Sequence, residues 1–222
     1  MSAFEEDDFD GLKFEAETLG EGRMLDGKLF SCSTFTCCDF SNSEIRNCTF
    51  RNCQFISCNM SLTKFNCTRM DGVQFMNCQL MGIDWTVMFW PRRVTRKHHA
   101  FGVFFERCVL NYSIFIGMDM YQASFKGCSL KDVGFEDADM EGAIFDDTDL
   151  MMATFHNTNL SGADLSSASN YNINVLANRL KKAKFSLPEA VSLLYAMDVE
   201  IKLYFMILHS ELTLFFIPLI FS

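Results

Sequence analysis

Residues 48–60 read CTFRNCQFISCNM, with Cys48, Cys53 and Cys58 each five residues after the last and Phe50, Phe55 and Met60 each two residues behind them. Thiols at this spacing pose a choice between a metal site, a disulfide ladder and a structural repeat. Working outward, the five-residue period does not stop. Every fifth residue from Phe30 to Trp90 is large and apolar, and the series resumes in the same phase from Phe105 to Leu165, 26 positions without one polar residue. Two residues before each sits a second selected class, mostly Cys, Ser, Thr, Ala or Val; Lys28, Ile83, Met88 and Met118 are its misfits. The remaining three columns are mostly polar. Helices and strands repeat every 3.6 and 2 residues, so neither produces a period of five. A coil with flat sides five residues long does.

The segments FEDADMEG (135–142), FDDTDLMM (145–152) and SGADLSS (161–167) carry the pattern most clearly. Here the chain resembles the pentapeptide-repeat family, whose consensus is A(D/N)LXX with the large residue central. The resemblance implies an all-β solenoid, a right-handed quadrilateral β-helix with four pentapeptides per coil and a short C-terminal helical cap. Its central and minus-two side chains point inward. The expected organisation is an acidic lead-in over 1–24 and the β-helix over 25–168, interrupted by a basic loop over 91–104. A cap with a short helix follows over 169–202, then an apolar tail over 203–222.

The repeat also dictates where the cysteines stand. Seven of the ten, including Cys38, Cys48, Cys53, Cys58 and Cys78, occupy the minus-two column beside Phe50, Phe55 and their equivalents, while Cys32, Cys37 and Cys67 share one outward column. Zinc knuckles use C-x2-4-C turns, which this spacing does not make. Parallel Cβ vectors on stacked coils oppose the disulfide torsion. Buried thiols acting as small hydrophobes are therefore expected, with no metal and no cofactor. MSAFEEDDFD lacks the basic and apolar regions of a signal peptide, so a cytoplasmic protein with reduced thiols is expected.

A net charge of −9 and a pI near 4.9 argue against direct nucleic-acid binding. No P-loop, G-x-G-x-x-G or H-E-x-x-H occurs, and a convex rod offers no cleft to perturb paired carboxylates, so no enzyme is expected. Two surface features are candidates for partner binding. One is an acidic band of Asp132, Glu136, Asp137, Asp139, Glu141, Asp146, Asp147 and Asp149; these span about one coil and so ring the rod. The other is the loop with Arg92, Arg93, Arg96 and Lys97, followed by His98 and His99.

Cytosolic members of the resembled family of the Qnr and microcin-resistance type bind DNA gyrase or topoisomerase IV, with rods similar to B-DNA in width and charge. That implies a protein partner of the type II topoisomerase class, reached by DNA mimicry, with quinolone or toxin resistance as the outcome. The competing expectation is an interaction scaffold with another protein partner. SLPEAVSLLYAM reads as a short helix with Ser186 near its cap and a stripe of Val191, Leu193, Leu194 and Met197; it either covers the open end or serves a homodimer. The last twenty residues match a membrane span in length. Glu211 near their centre costs roughly 2.5–3.5 kcal/mol on insertion. A membrane anchor, a packed dimer segment and an extension with no evolved role are all open readings of that tail.

Overall fold

The computed structural model describes residues 4–90, 102–195, 197 and 199. Its strands are β1 (Asp8–Asp10), β2 (Lys13–Glu15), β3 (Met24–Asp26), β4 (Leu29–Ser31), β5 (Thr34–Thr36), β6 (Glu44–Arg46), β7 (Thr49–Arg51), β8 (Gln54–Ile56), β9 (Lys64–Asn66), β10 (Arg69–Asp71), β11 (Val73–Met76), β12 (Val103–Glu106) and β13 (Ser124–Lys126). Each is one side of a coil and pairs in parallel with the same side of the next coil. The first face is the sheet β1-β4-β7-β10, the second β2-β5-β8-β11-β12-β13, and the fourth β3-β6-β9. The third face is held by single bridges, Thr18 to Asp39 to Asn59 to Gln79 to Val109. The result is the right-handed quadrilateral solenoid.

Beyond β13 the ladder continues as isolated bridges such as Asp139 to Asn159 and Ile144 to Asp164.

Register reports where residues have been added. Phe35 pairs with Phe55 and Phe55 with Phe75, a step of 20 (55 − 35, 75 − 55). Phe14 pairs with Phe35, a step of 21, and Phe75 with Phe105, a step of 30. The ten extra residues fall between Phe89 on the first face, which bridges Arg69, and Val103 on the second, which pairs with Val73. The aromatic stack on the second face crosses this point with little change: Phe55–Phe75 centroids lie 5.0 Å apart, Phe75–Phe105 5.5 Å and Phe105–Phe125 5.2 Å.

Several expected boundaries move. The coil starts well before residue 25: Phe4, Phe9, Phe14 and Leu19 are buried, and β1 and β2 stack beneath β4 and β5. One extra residue in the Gly20–Gly22 turn shifts those four positions out of phase with the later ones, which hides them from a strict period. Val103 and Phe104 already belong to β12, so the coil resumes before residue 105. At the other end it passes 168, because Arg179 bridges Asn159 and Lys184 bridges Asp164. The helical segment is a 3-10 turn over Glu189–Val191 followed by α1 (Ser192–Tyr195), too short to present a stripe. Only Leu193 of the expected four packs against the core, while Leu194 and Met197 are exposed. Ser186 does not cap it with its side chain; that hydroxyl donates to the Ser166 carbonyl.

At the N-terminal end Phe4 lies across the stack, with ring centroids 5.2 Å from Phe14, 6.2 Å from Phe30 and 6.0 Å from Phe40. A solenoid must cover its last layer, and here one ring does so.

Candidate interaction surface

The interior is closed by side chains. Phe50, Phe55, Cys38, Cys48, Cys53, Cys58 and Cys78 are all buried, and all ten cysteines are free thiols, with Cys32, Cys37 and Cys67 exposed. The minus-two column is more than small. Cys58 Sγ donates to the Phe35 carbonyl at 3.3 Å and Cys78 Sγ to the Phe55 carbonyl at 3.3 Å, and Thr63 Oγ1 and Thr68 Oγ1 reach the Phe40 and Ile45 carbonyls at 2.8 and 3.0 Å. Each side chain thus satisfies a carbonyl of the coil below, as buried acceptors require. Cys38, Cys58 and Cys78 form a ladder that continues across the insertion to Cys108, whose Sγ donates to the Phe75 carbonyl at 3.4 Å. Burial pushes the Cys48 and Cys53 thiols up to about 11, so they are protonated and unreactive at neutral pH.

One outward column has a backbone role that a polar-or-apolar reading misses. Cys32, Cys37, Asn42, Asn47, Asn52 and Gly72 all have positive φ, and their equivalents recur to Gly162. This left-handed residue turns each corner. The run of Asn, Asp and Gly in that column is the sequence signal, since these residues accept the conformation at least cost.

The eight acidic residues are distributed over every face. Glu136 and Asp137 lie on the fourth face, with Asp132 at its near corner. Asp139 and Glu141 lie on the first, Asp146 and Asp147 on the second, and Asp149 on the third. Asp132, Asp137 and Asp147 are exposed and the others half-buried. Four of them are tied to a neighbouring coil. Asn157 donates to Asp137 and Asn159 to Asp139, both at 2.7 Å, and Ser167 Oγ donates to Asp146 at 2.9 Å. Asp149 takes a 3.1 Å ion pair from Lys131 and a 2.8 Å bond from Asn170. Burial alone would raise the Asp149 carboxyl, but these two donors hold it below the ordinary range. Much of the negative charge is therefore spent on axial contacts between coils, through partners that sequence reasoning did not single out. Arg92, Arg93, Arg96 and Lys97 lie outside the described residues, as does the 203–222 tail. Among the described residues no helix is long and apolar enough to cross a membrane, and no group of His, Cys, Asp and Glu is placed to hold a metal.

A rod whose inward columns are buried and whose polar columns stand outside defines the class: a parallel β-solenoid of five-residue sides. The chain belongs to the pentapeptide-repeat family. Its family descriptions match residues 27–101 (pentapeptide repeat region) and 128–168 (pentapeptide repeats, 8 copies). Among solved structures the chain is similar to trypsin-treated QnrB1, a plasmid-mediated fluoroquinolone resistance protein. One such structure has 17% identity, 86% of this chain and 99% of that one covered, and a TM-score of 0.58; a second has 16%, 88%, 99% and 0.57. HetL, involved in heterocyst differentiation regulation in the cyanobacterium Nostoc, has 17% identity, covers 81% of this chain and 85% of its own, and has a TM-score of 0.48. No curated protein matches.

Proposed function

We propose that the protein is a non-enzymatic rod that binds another protein through its outer faces, and that this partner is a type II topoisomerase. The observation that carries the reading is the closed interior: every side chain capable of recognition stands outside, in rows about 4.8 Å apart along the axis. The net charge of −9 favours a partner with a basic DNA-binding surface, reached by electrostatic steering. The fold similarity to QnrB1 accords with that choice. The distribution of the acids argues for steering rather than a copy of two phosphate strands, because they surround the axis and several are neutralised or bonded between coils.

Gyrase supercoiling, measured with and without the purified protein and across a ciprofloxacin titration, tests the reading. A change in supercoiling or in drug inhibition is expected. If neither changes, the topoisomerase assignment fails and the partner is a different protein.

A further inference from the structure

Charge changes sign at the C-terminal end of the rod. Between Lys131 and Arg179 the chain carries the acidic band and Asp164, and no Lys or Arg. From 165 to 188 it carries Arg179, Lys181, Lys182 and Lys184, and no acid. These four sit on one rung. Arg179 bridges Asn159 on the first face, Lys184 bridges Asp164 on the second, and Lys182 turns the corner between them with φ +62°. The Gly162 N–H donates to the Lys181 carbonyl at 2.9 Å, so the backbone of this rung is stacked on the coil below. All four side chains are exposed, and Lys184 reaches back to Asp164 at 2.9 Å. The same end exposes large apolar side chains: Leu187 is 78% and Tyr195 69% exposed, and Leu194, Met197 and Val199 are exposed as well. Glu189, half-buried, is the one acid among the described residues of the cap.

We infer that this end of the rod docks on an anionic lipid surface with the axis standing up from it. The inference goes beyond the protein-binding reading and does not depend on the partner named there. Bound lipid headgroups ask for positive charge, and the acyl boundary beneath them asks for apolar side chains; stable attachment takes both. An acidic protein segment would answer the charge but not the exposed leucines, tyrosine and methionine, from which the sequence runs on into the apolar stretch 203–222. Orientation follows from screening. With the basic rung at the surface, the acidic band stands two coils back, about 10 Å. That is about one Debye length at 0.1 M salt, so its repulsion is weakened, and the acids of the first coil lie farther still. A rod on its side would bring the band against the lipid.

The test mixes the full chain with vesicles of phosphatidylcholine alone or of equal parts phosphatidylcholine and phosphatidylglycerol, and reads bound protein by flotation. Binding to the anionic vesicles, little to the neutral ones, and release in high salt are expected. Lys181→Glu with Lys182→Glu, checked for unchanged thermal unfolding, is expected to weaken binding about tenfold or more. Arg51→Glu with Lys64→Glu makes the same change in net charge at exposed positions on the body of the rod and is expected to leave binding nearly unchanged. A photoactivatable lipid is expected to label the 187–199 segment of the unaltered chain and to spare exposed Leu62. Labelling elsewhere, equal weakening by the two pairs, equal binding to both vesicles or no binding overturns the proposal. Retention on immobilised polyglutamate without vesicle binding overturns it in favour of an acidic protein segment. The labelling uses no variant, so it decides the question even if one of them folds poorly.

Discussion

Phe104 and Phe105 are neighbours in β12 on opposite sides of the coil wall, and replacing each by alanine separates core from surface. Phe105 is 1% exposed, stacks on Phe75 at 5.5 Å and Phe125 at 5.2 Å, and meets Trp85 edge-on at 5.3 Å. Truncating a buried phenylalanine costs about 3–5 kcal/mol, cavity included. Aromatic partners on both sides place this one in the upper part of that range, since such pairs add about 0.5–1.5 kcal/mol each. Phe104 is 42% exposed, so Phe104→Ala should cost less than about 1 kcal/mol. Urea unfolding followed by far-UV circular dichroism reads both. Phe105 is also the first central residue past the ten-residue insertion, so its cost measures whether the core runs through that point unbroken. A Phe105→Ala cost below about 2 kcal/mol, or one equal to that of Phe104→Ala, would refute the continuous stack.

Further outcomes follow from the interior, the corners and one surface ion pair. A thiol reagent should modify three of the ten cysteines in the native protein, Cys32, Cys37 and Cys67, and all ten only in denaturant; Cys58→Ser should cost no more than about 1–2 kcal/mol, because a hydroxyl can reach the same carbonyl, as Thr63 and Thr68 do in equivalent places. Gly72→Ala should destabilise by about 1–2 kcal/mol, since φ is +65° and the new Cβ meets the Asn52 side chain. Leu62→Asn, at a corner where φ is +59° and the leucine is exposed, should instead stabilise slightly, and the same urea series compares the two signs. Bonds from Ser166 and the Lys184 ion pair hold the Asp164 carboxyl down to about 2 from the usual 3.8. A depressed folded-state value means that this stability is present above about pH 4 and is lost as pH falls toward 2. Acid unfolding of Asp164→Asn should therefore differ from the parent near neutrality and converge with it at pH 2, and parallel curves would contradict the assignment.

The regular part of the rod was legible in the sequence because one variable, the size of every fifth side chain, decides which way a residue points. Phe30 to Trp85 and Phe105 to Leu165 could be placed inside from that alone, with Trp90 the one member only partly buried, and the cysteines followed. The first coil was not, since a single added residue near Gly20 breaks the phase without breaking the stack. Nor was the last coil, where Asn170 stands exposed at a central position and the in-phase Leu180 and Phe185 are only partly buried. The acids were visible as a band, yet their Asn, Ser and Lys partners lie twenty or so residues away and become neighbours only once coils are stacked.

The step of 30 between Phe75 and Phe105 has a consequence beyond accounting for a loop. Ten residues are added between the first and second faces while the rings on either side move apart by only half an ångström relative to Phe55–Phe75 (5.5 against 5.0 Å). The ring stack therefore carries through the point of insertion with its spacing nearly unchanged. A protein of this build can change what it displays there without renegotiating its fold, so selection acting on the inserted segment is largely decoupled from selection acting on the rungs beneath it.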